Sequence, residues 1–104
     1  MKIYKAVFTH PAVTDLESIA DYISIELQEP DIAKRMVTRI KESVLGLSNM
    51  PKGHPLILDK RLALQGIRKL VVDSFLVFYR VSDQDCTVTV IRVLSNRRNW
   101  NNLL

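Results

Sequence analysis

From Ile3 to Phe8 the chain sets Ile3, Lys5 and Val7 against Tyr4, Ala6 and Phe8, and this β-branched and aromatic run predicts an opening strand. Thr9-His10-Pro11 ends it, since Thr9 can cap a helix whose first turn tolerates Pro11; Thr14-Asp15-Leu16-Glu17 offers a second, capping-box start. Leu16, Ile19, Ala20, Ile23 and Leu27 then recur at helical spacing, one stripe of an amphipathic helix whose other face carries acids. Pro30-Asp31 interrupts the stripe with Asp31 as the cap, and Ala33, Met36, Val37, Ile40, Val44 and Leu47 restart it in a second helix running to about Leu47. Two amphipathic helices with so short a break form an αα-hairpin whose apolar sides cover a sheet.

Asn49, Pro51, Gly53 and Pro55 mark a long connection from Ser48 to Gly66, with one irregular helical turn near Arg61 to Leu64. Three strand-like runs follow: Ile67 to Val72, Phe75 to Val81 and Cys86 to Leu94. Asp73-Ser74 and Ser82 to Asp85 separate them, so two successive hairpins are expected. The order β-α-α-β-β-β predicts an α+β fold in which the helix pair packs on a small, antiparallel-rich twisted sheet and leaves the other face partly open. Strict alternation in the last strand puts Thr87, Thr89, Ile91 and Val93 on one side and Val88, Val90, Arg92 and Leu94 on the other. Arg80 likewise shares a side with Leu76 and Phe78.

Composition fits this picture. The chain has 104 residues, 47% apolar and 25% charged, which suits one folded domain spanning 1–104. No apolar run is long enough to cross a membrane, and the residues from Met1 to Lys5 lack the apolar stretch of a signal peptide. Cys86 is a single cysteine, and with His10 and His54 it makes no zinc spacing. The expectation is a cytoplasmic protein without metal, cofactor or membrane partner. Charge divides the chain: residues 1–42 carry six Lys/Arg against seven Asp/Glu, whereas residues 43–104 carry nine against four. A basic C-terminal half calls for a polyanion or an acidic protein partner, or else is a solvated surface.

Within that half, Arg80 and Arg92 lie in apolar rows, where a guanidinium either snorkels to water or contacts an anion or partner. Arg68-Lys69 opens the second strand, and Arg97-Arg98 with Trp100 follows the last. Gathered at one end of the domain, these four cations would suit phosphate or carboxylate, and Trp100 would stack on a base, fill a partner's pocket or pack on its own domain.

Three stretches resemble the C-terminal half of the RelE/ParE superfamily of type II toxins: Gly66-Ile67-Arg68-Lys69-Leu70-Val71-Val72, Phe75-Leu76-Val77-Phe78-Tyr79-Arg80-Val81, and Val90 to Trp100 with its Arg92 and Ser95-Asn96-Arg97-Arg98-Asn99. Phe8-Thr9-x-Pro11-Ala12, Asp15-Leu16-x-x-Ile19-x-x-Tyr22-Ile23 and Met50-Pro51-x-Gly53 resemble its N-terminal half. The resemblance implies a toxin neutralised by a cognate antitoxin that wraps it as helix and extended chain. RelE-like members cleave mRNA on the ribosome, whereas ParE-like members poison DNA gyrase.

A metal-free ribonuclease must activate the 2′-hydroxyl, stabilise the charged phosphorane and protonate the leaving oxygen. Such nucleases commonly read Tyr-Arg-Leu-Val-Tyr in the third strand, where this chain has Phe75-Leu76-Val77-Phe78-Tyr79, so Leu76 replaces the arginine. One lost stabilising donor costs about 2.7–4 kcal/mol of transition-state stabilisation. The expected function is therefore a non-enzymatic gyrase poison. The alternatives are a ribosome-dependent mRNA endonuclease, with Lys69, Arg80, Arg92 and His54 as its catalytic candidates, and a non-toxic nucleic-acid-binding module. The expected partner-binding residues are Arg68, Lys69, Arg92, Arg97, Arg98 and Trp100.

Overall fold

The computed structural model describes residues 3–98, 100, 103 and 104; Met1, Lys2 and Asn99, named above, lie outside the described residues. Strand β1 (Lys5–Phe8) leads into helix α1 (His10–Asp21), then helix α2 (Pro30–Leu45), a short helix α3 (Lys60–Leu64), and strands β2 (Ile67–Val72), β3 (Phe75–Ser82) and β4 (Thr87–Ser95). The sheet order is β1-β4-β3-β2, with β1 parallel to β4 and the two hairpins antiparallel. This is the expected α+β arrangement.

Thr9 caps α1, its side chain accepting from the Ala12 N–H with Pro11 in the first turn, so the earlier of the two helix starts is used. The helix does not run straight to Leu27. Residues Tyr22–Glu26 form a π-helical turn closed by Leu27 N–H to Tyr22 O and Glu29 N–H to Ile23 O. The wider turn adds a residue to the period, so Ile23 stays buried while Leu27 leaves the stripe and is exposed. Asp31 is not the cap of α2: Glu29 precedes the helix without a side-chain cap bond, Pro30 opens it, and Asp31 lies in the first turn. There its charge opposes the positive end of the helix. The turn expected near Arg61 is α3, capped by the Asp59 carboxylate on the Arg61 and Leu62 N–H groups.

Two apolar clusters flank the sheet. The helix side holds Ala12, Leu16, Ile40, Val44 and Leu47 against Leu70, Val77, Tyr79, Val88, Val90 and Val93. The other side was expected to be partly open and is instead covered. Ile57 and Leu62, with Trp100, Leu103 and Leu104, close over Ile67, Leu76, Phe78 and Leu94. Leu76 and Phe78 are only 6% and 0% exposed. A sheet face this apolar stays in water only at a large cost, about 25 cal/mol per Å².

Strict alternation along β4 fails at one point. The register with β3 shifts between Phe78 and Tyr79, which face Arg92 and Val90, so Ile91 is an extra residue, a β-bulge. Beyond it Val93 joins Val88 and Val90 on the helix side, while Ile91 and Leu94 serve the opposite cluster.

Candidate functional site

Arg92 is spent inside the protein. Its Nε donates to Asp15 Oδ2 at 2.7 Å, its Nη2 to Asp15 Oδ1 at 2.8 Å, and its Nη1 to the Leu103 carbonyl at 3.1 Å. Asp15 also accepts from the Val93 N–H at 2.9 Å. The two side chains are 22% and 11% exposed, so this bidentate pair is shielded from solvent. The Asp15 hydrogen bond pushes the Arg92 pKa up, against the opposing effect of burial. The guanidinium thus ties α1, β4 and the C-terminal segment together, and neither snorkels nor stands free for an anion. Asp15, read along the sequence as part of a capping box and of the family-like stretch, is the site residue whose pairing with Arg92 that reading misses. Its signal is an Arg in an apolar strand row that needs a carboxylate, and parallel pairing of β1 with β4 brings one beside it.

The remaining cations divide by face and by end. Lys69 opposes Phe78, and Arg80 opposes Ile67, so both lie on the side away from α1 and α2. Lys69 Nζ sits 5.9 Å from the Trp100 ring, which packs on Phe78 at 5.2 Å between centroids. Trp100 therefore takes the self-packing role among its expected ones. Arg80 is exposed and donates to Gln65 Oε1 at 3.4 Å. Arg68 opposes Tyr79 on the helix side and donates to the His54 carbonyl at 2.7 Å. Tyr79 is buried, donates to the Pro51 carbonyl at 2.8 Å, and has its pKa raised by burial despite the lowering influence of Arg68.

Arg97 and Arg98 follow Ser95, which faces Phe75 at the start of β3, four residues along that strand from Tyr79. At about 3.3 Å per residue that separation is roughly 13 Å. The four cations thus do not gather at one end: Arg68-Lys69 oppose the middle of β3, whereas Arg97-Arg98 lie beyond its Phe75 end. Of the nuclease candidates, Lys69 and Arg80 share a face, Arg92 is neutralised by Asp15, and His54 is half-buried in the 51–66 connection. Among the described residues no group of His, Cys, Asp and Glu is placed to hold a metal ion. Nor is any described helix long and apolar enough to cross a membrane.

A cleft of about 370 Å³ lies between α1 and the far end of the sheet, lined by Ile19, Tyr22, Phe75, Val93, Leu94 and Arg98 among others. The π-helical turn at the end of α1 leaves Tyr22 58% exposed at its wall.

The family of ParE toxins of type II toxin-antitoxin systems, parDE, matches residues 6–100. No curated protein matches the chain. Among solved structures, the chromosomal ParDE toxin-antitoxin system of P. aeruginosa is similar at 22% identity and a TM-score of 0.72, over 89% of this chain and 96% of that one. The RelBE2 toxin-antitoxin complex of Mycobacterium tuberculosis is similar at 21% identity and a TM-score of 0.67, over 89% and 98%. A mutant of the E. coli toxin RelE in the free state aligns at 15% identity and a TM-score of 0.65, over 91% and 85%.

Proposed function

The chain belongs to the ParE toxin family of type II toxin-antitoxin systems, and from that membership we propose that it halts growth by binding DNA gyrase rather than by cutting RNA. The observation that carries this reading is the state of the sheet face away from α1 and α2. Leu76 stands where RelE-like sequences place a strand arginine, and it is buried there beside Phe78 and Leu94 under the C-terminal segment. Arg92, the guanidinium opposite Phe78 on β4, is already paired with Asp15. A phosphorane would need several unpaired cations converging on one point, and positioning them carries much of the rate. Among the described residues, Lys69, beside Trp100, and Arg80, beside Gln65, are the strand cations this face offers. A surface that binds a protein needs no such convergence.

The cognate antitoxin is the second partner in this reading. Its acidic, amphipathic segment would lie on the basic half of the toxin and hold it inactive, by charge complementarity together with apolar contact. Inducing the protein in a bacterial host while mapping mRNA ends and plasmid topology tests the target. Supercoiling inhibition or trapped gyrase-DNA complexes, with mRNA intact, is the expected result. Discrete codon-linked mRNA ends without trapped DNA complexes would reverse the assignment to a ribosome-dependent nuclease.

A further inference from the structure

The bend between α1 and α2 leaves four large apolar side chains in water: Tyr22, Ile25, Leu27 and Ile32, with Ile25 67% exposed. Bonds from Leu27 N–H to Tyr22 O and from Glu29 N–H to Ile23 O fold this bend on itself. Its charge is all of one sign. Glu26, Glu29 and Asp31 are exposed among the apolar residues, and from Pro11 to Ala33 the chain carries six Asp/Glu and no Lys or Arg. Lys34 and Arg35 come only after the bend, inside α2.

A second apolar patch surrounds α3. Leu58 and Leu64, at either end of this short helix, are 98% and 90% exposed, and Leu56 before them is exposed as well. Lys60 and Leu64, four positions apart, share one side of α3. Here the charge is reversed. Residues 51–72 contain five Lys/Arg and one acid, Asp59, whose carboxylate is engaged by the Arg61 and Leu62 N–H groups. Clustered apolar side chains ringed by polar ones mark an interaction surface.

The two patches lie far apart. Tyr22 lines a cleft with Phe75, the first residue of β3, whereas Gln65, just after α3, accepts from Arg80 five residues along that strand. Five residues of strand span roughly 17 Å. They also belong to opposite faces of the sheet, since α1 and α2 cover one and Leu62 of α3 covers the other. Neither patch suits its own like, because acids would meet acids and bases would meet bases. Each suits the other, apolar centre to apolar centre and acidic rim to basic rim.

We propose that a second copy of this chain is the partner, and that the hairpin bend of one copy docks on the α3 patch of the next. Ile25 and Leu27 pack against Leu58 and Leu64, and Glu29 meets Lys60. Patches at opposite ends and on opposite faces make this contact head-to-tail, so each addition leaves one bend and one α3 patch unused and assembly continues past two copies. The contact is independent of which cellular target the protein has.

The test uses the purified full chain without antitoxin. Sedimentation equilibrium from micromolar to millimolar protein is expected to show a mass rising beyond that of a dimer, and falling again as salt is raised. Backbone amide shifts are expected to move with concentration at both Ile25–Glu29 and Leu58–Leu64. Ile25→Ser and Leu64→Ser, each checked for an unchanged fold by circular dichroism, are expected to weaken self-association at least tenfold. Glu29→Lys and Lys60→Glu each weaken it too, and a mixture of these two variants is expected to associate more tightly than either alone. A wild-type chain that stays monomeric throughout would overturn the proposal, and shifts at both patches only on adding the protein encoded beside the gene would then assign them to that partner. Shifts confined to one patch would mean that like meets like, and would overturn the head-to-tail contact. Self-association untouched by the serine variants, or no gain on mixing the charge variants, would place the interface elsewhere and overturn it as well.

Discussion

Asp15 and Arg92 show how much a single pair governs in a small domain. The carboxylate accepts both guanidinium bonds and the Val93 N–H, so removing Arg92 strands a shielded charge. Arg92→Ala is expected to cost about 3 kcal/mol, read as a lowered midpoint in denaturant unfolding, and to free the segment that its third donor holds at Leu103. Leu76→Arg, which writes the nuclease-like residue back into β3, puts a charge where the side chain is buried. It is expected to destabilise the protein by several kcal/mol, seen as an early thermal melt, and to yield little ribosome-dependent mRNA cleavage. Tyr79 sets a pH limit. Its folded pKa is raised by burial, so the unfolded chain loses this proton first, and stability present below the ordinary tyrosine pKa of about 10 drains away as the pH climbs beyond it. Thermal melts between pH 8 and 11 are expected to fall less steeply for Tyr79→Phe than for wild type, although the variant starts lower for want of the Pro51 bond.

The helices and strands were legible because their apolar periods are long and their ends carry capping and turn chemistry, as at Thr9 and Asp59. What escaped were changes of period. The π-helical turn at Tyr22–Glu26 and the bulge at Ile91 each add one residue, and each re-aims the side chains beyond it. Nothing in the local composition marks either, since Leu27 and Arg92 satisfy the unbroken pattern equally well. The cover over Leu76 and Phe78 was hidden for another reason: Leu103 and Leu104 lie beyond the last strand with no periodic pattern, Trp100 was open between partner contact and self-packing, and only the apolar sheet face makes them part of a core. Of the candidate site, the cations were visible as residue types, but which of them pair internally depends on a strand and helix 77 positions apart in sequence. The hairpin tip also contains a strained joint, Gln28 at φ 55. Left-handed backbone costs a side chain roughly 1–2 kcal/mol, so Gln28→Gly is expected to raise the melting temperature by a few degrees, while Gln28→Ala should give no such gain.

Over the whole molecule, charge is segregated by sequence half, with six Lys/Arg against seven Asp/Glu in residues 1–42 and nine against four beyond. Association with an acidic antitoxin is expected to be steered by that field, so raising the salt from 50 to 500 mM should slow the measured on-rate by about tenfold while changing the off-rate little. The parallel pairing of β1 with β4 has a different consequence, one of timing. Residues 5–8 are joined to 87–90, and the Thr9 hydroxyl bonds 82 positions downstream. At a synthesis rate of roughly 5–20 residues per second, β1 waits on the order of 4–16 s for the strand that completes it. For most of that interval the nascent chain lacks even the β2-β3 hairpin, which is complete only at Ser82, and until β4 arrives the sheet that α1 and α2 cover is unfinished. The ribosome therefore makes this member of the ParE toxin family as an unfinished object, and the interval before β4 emerges is one in which an antitoxin already present would meet it as it folds.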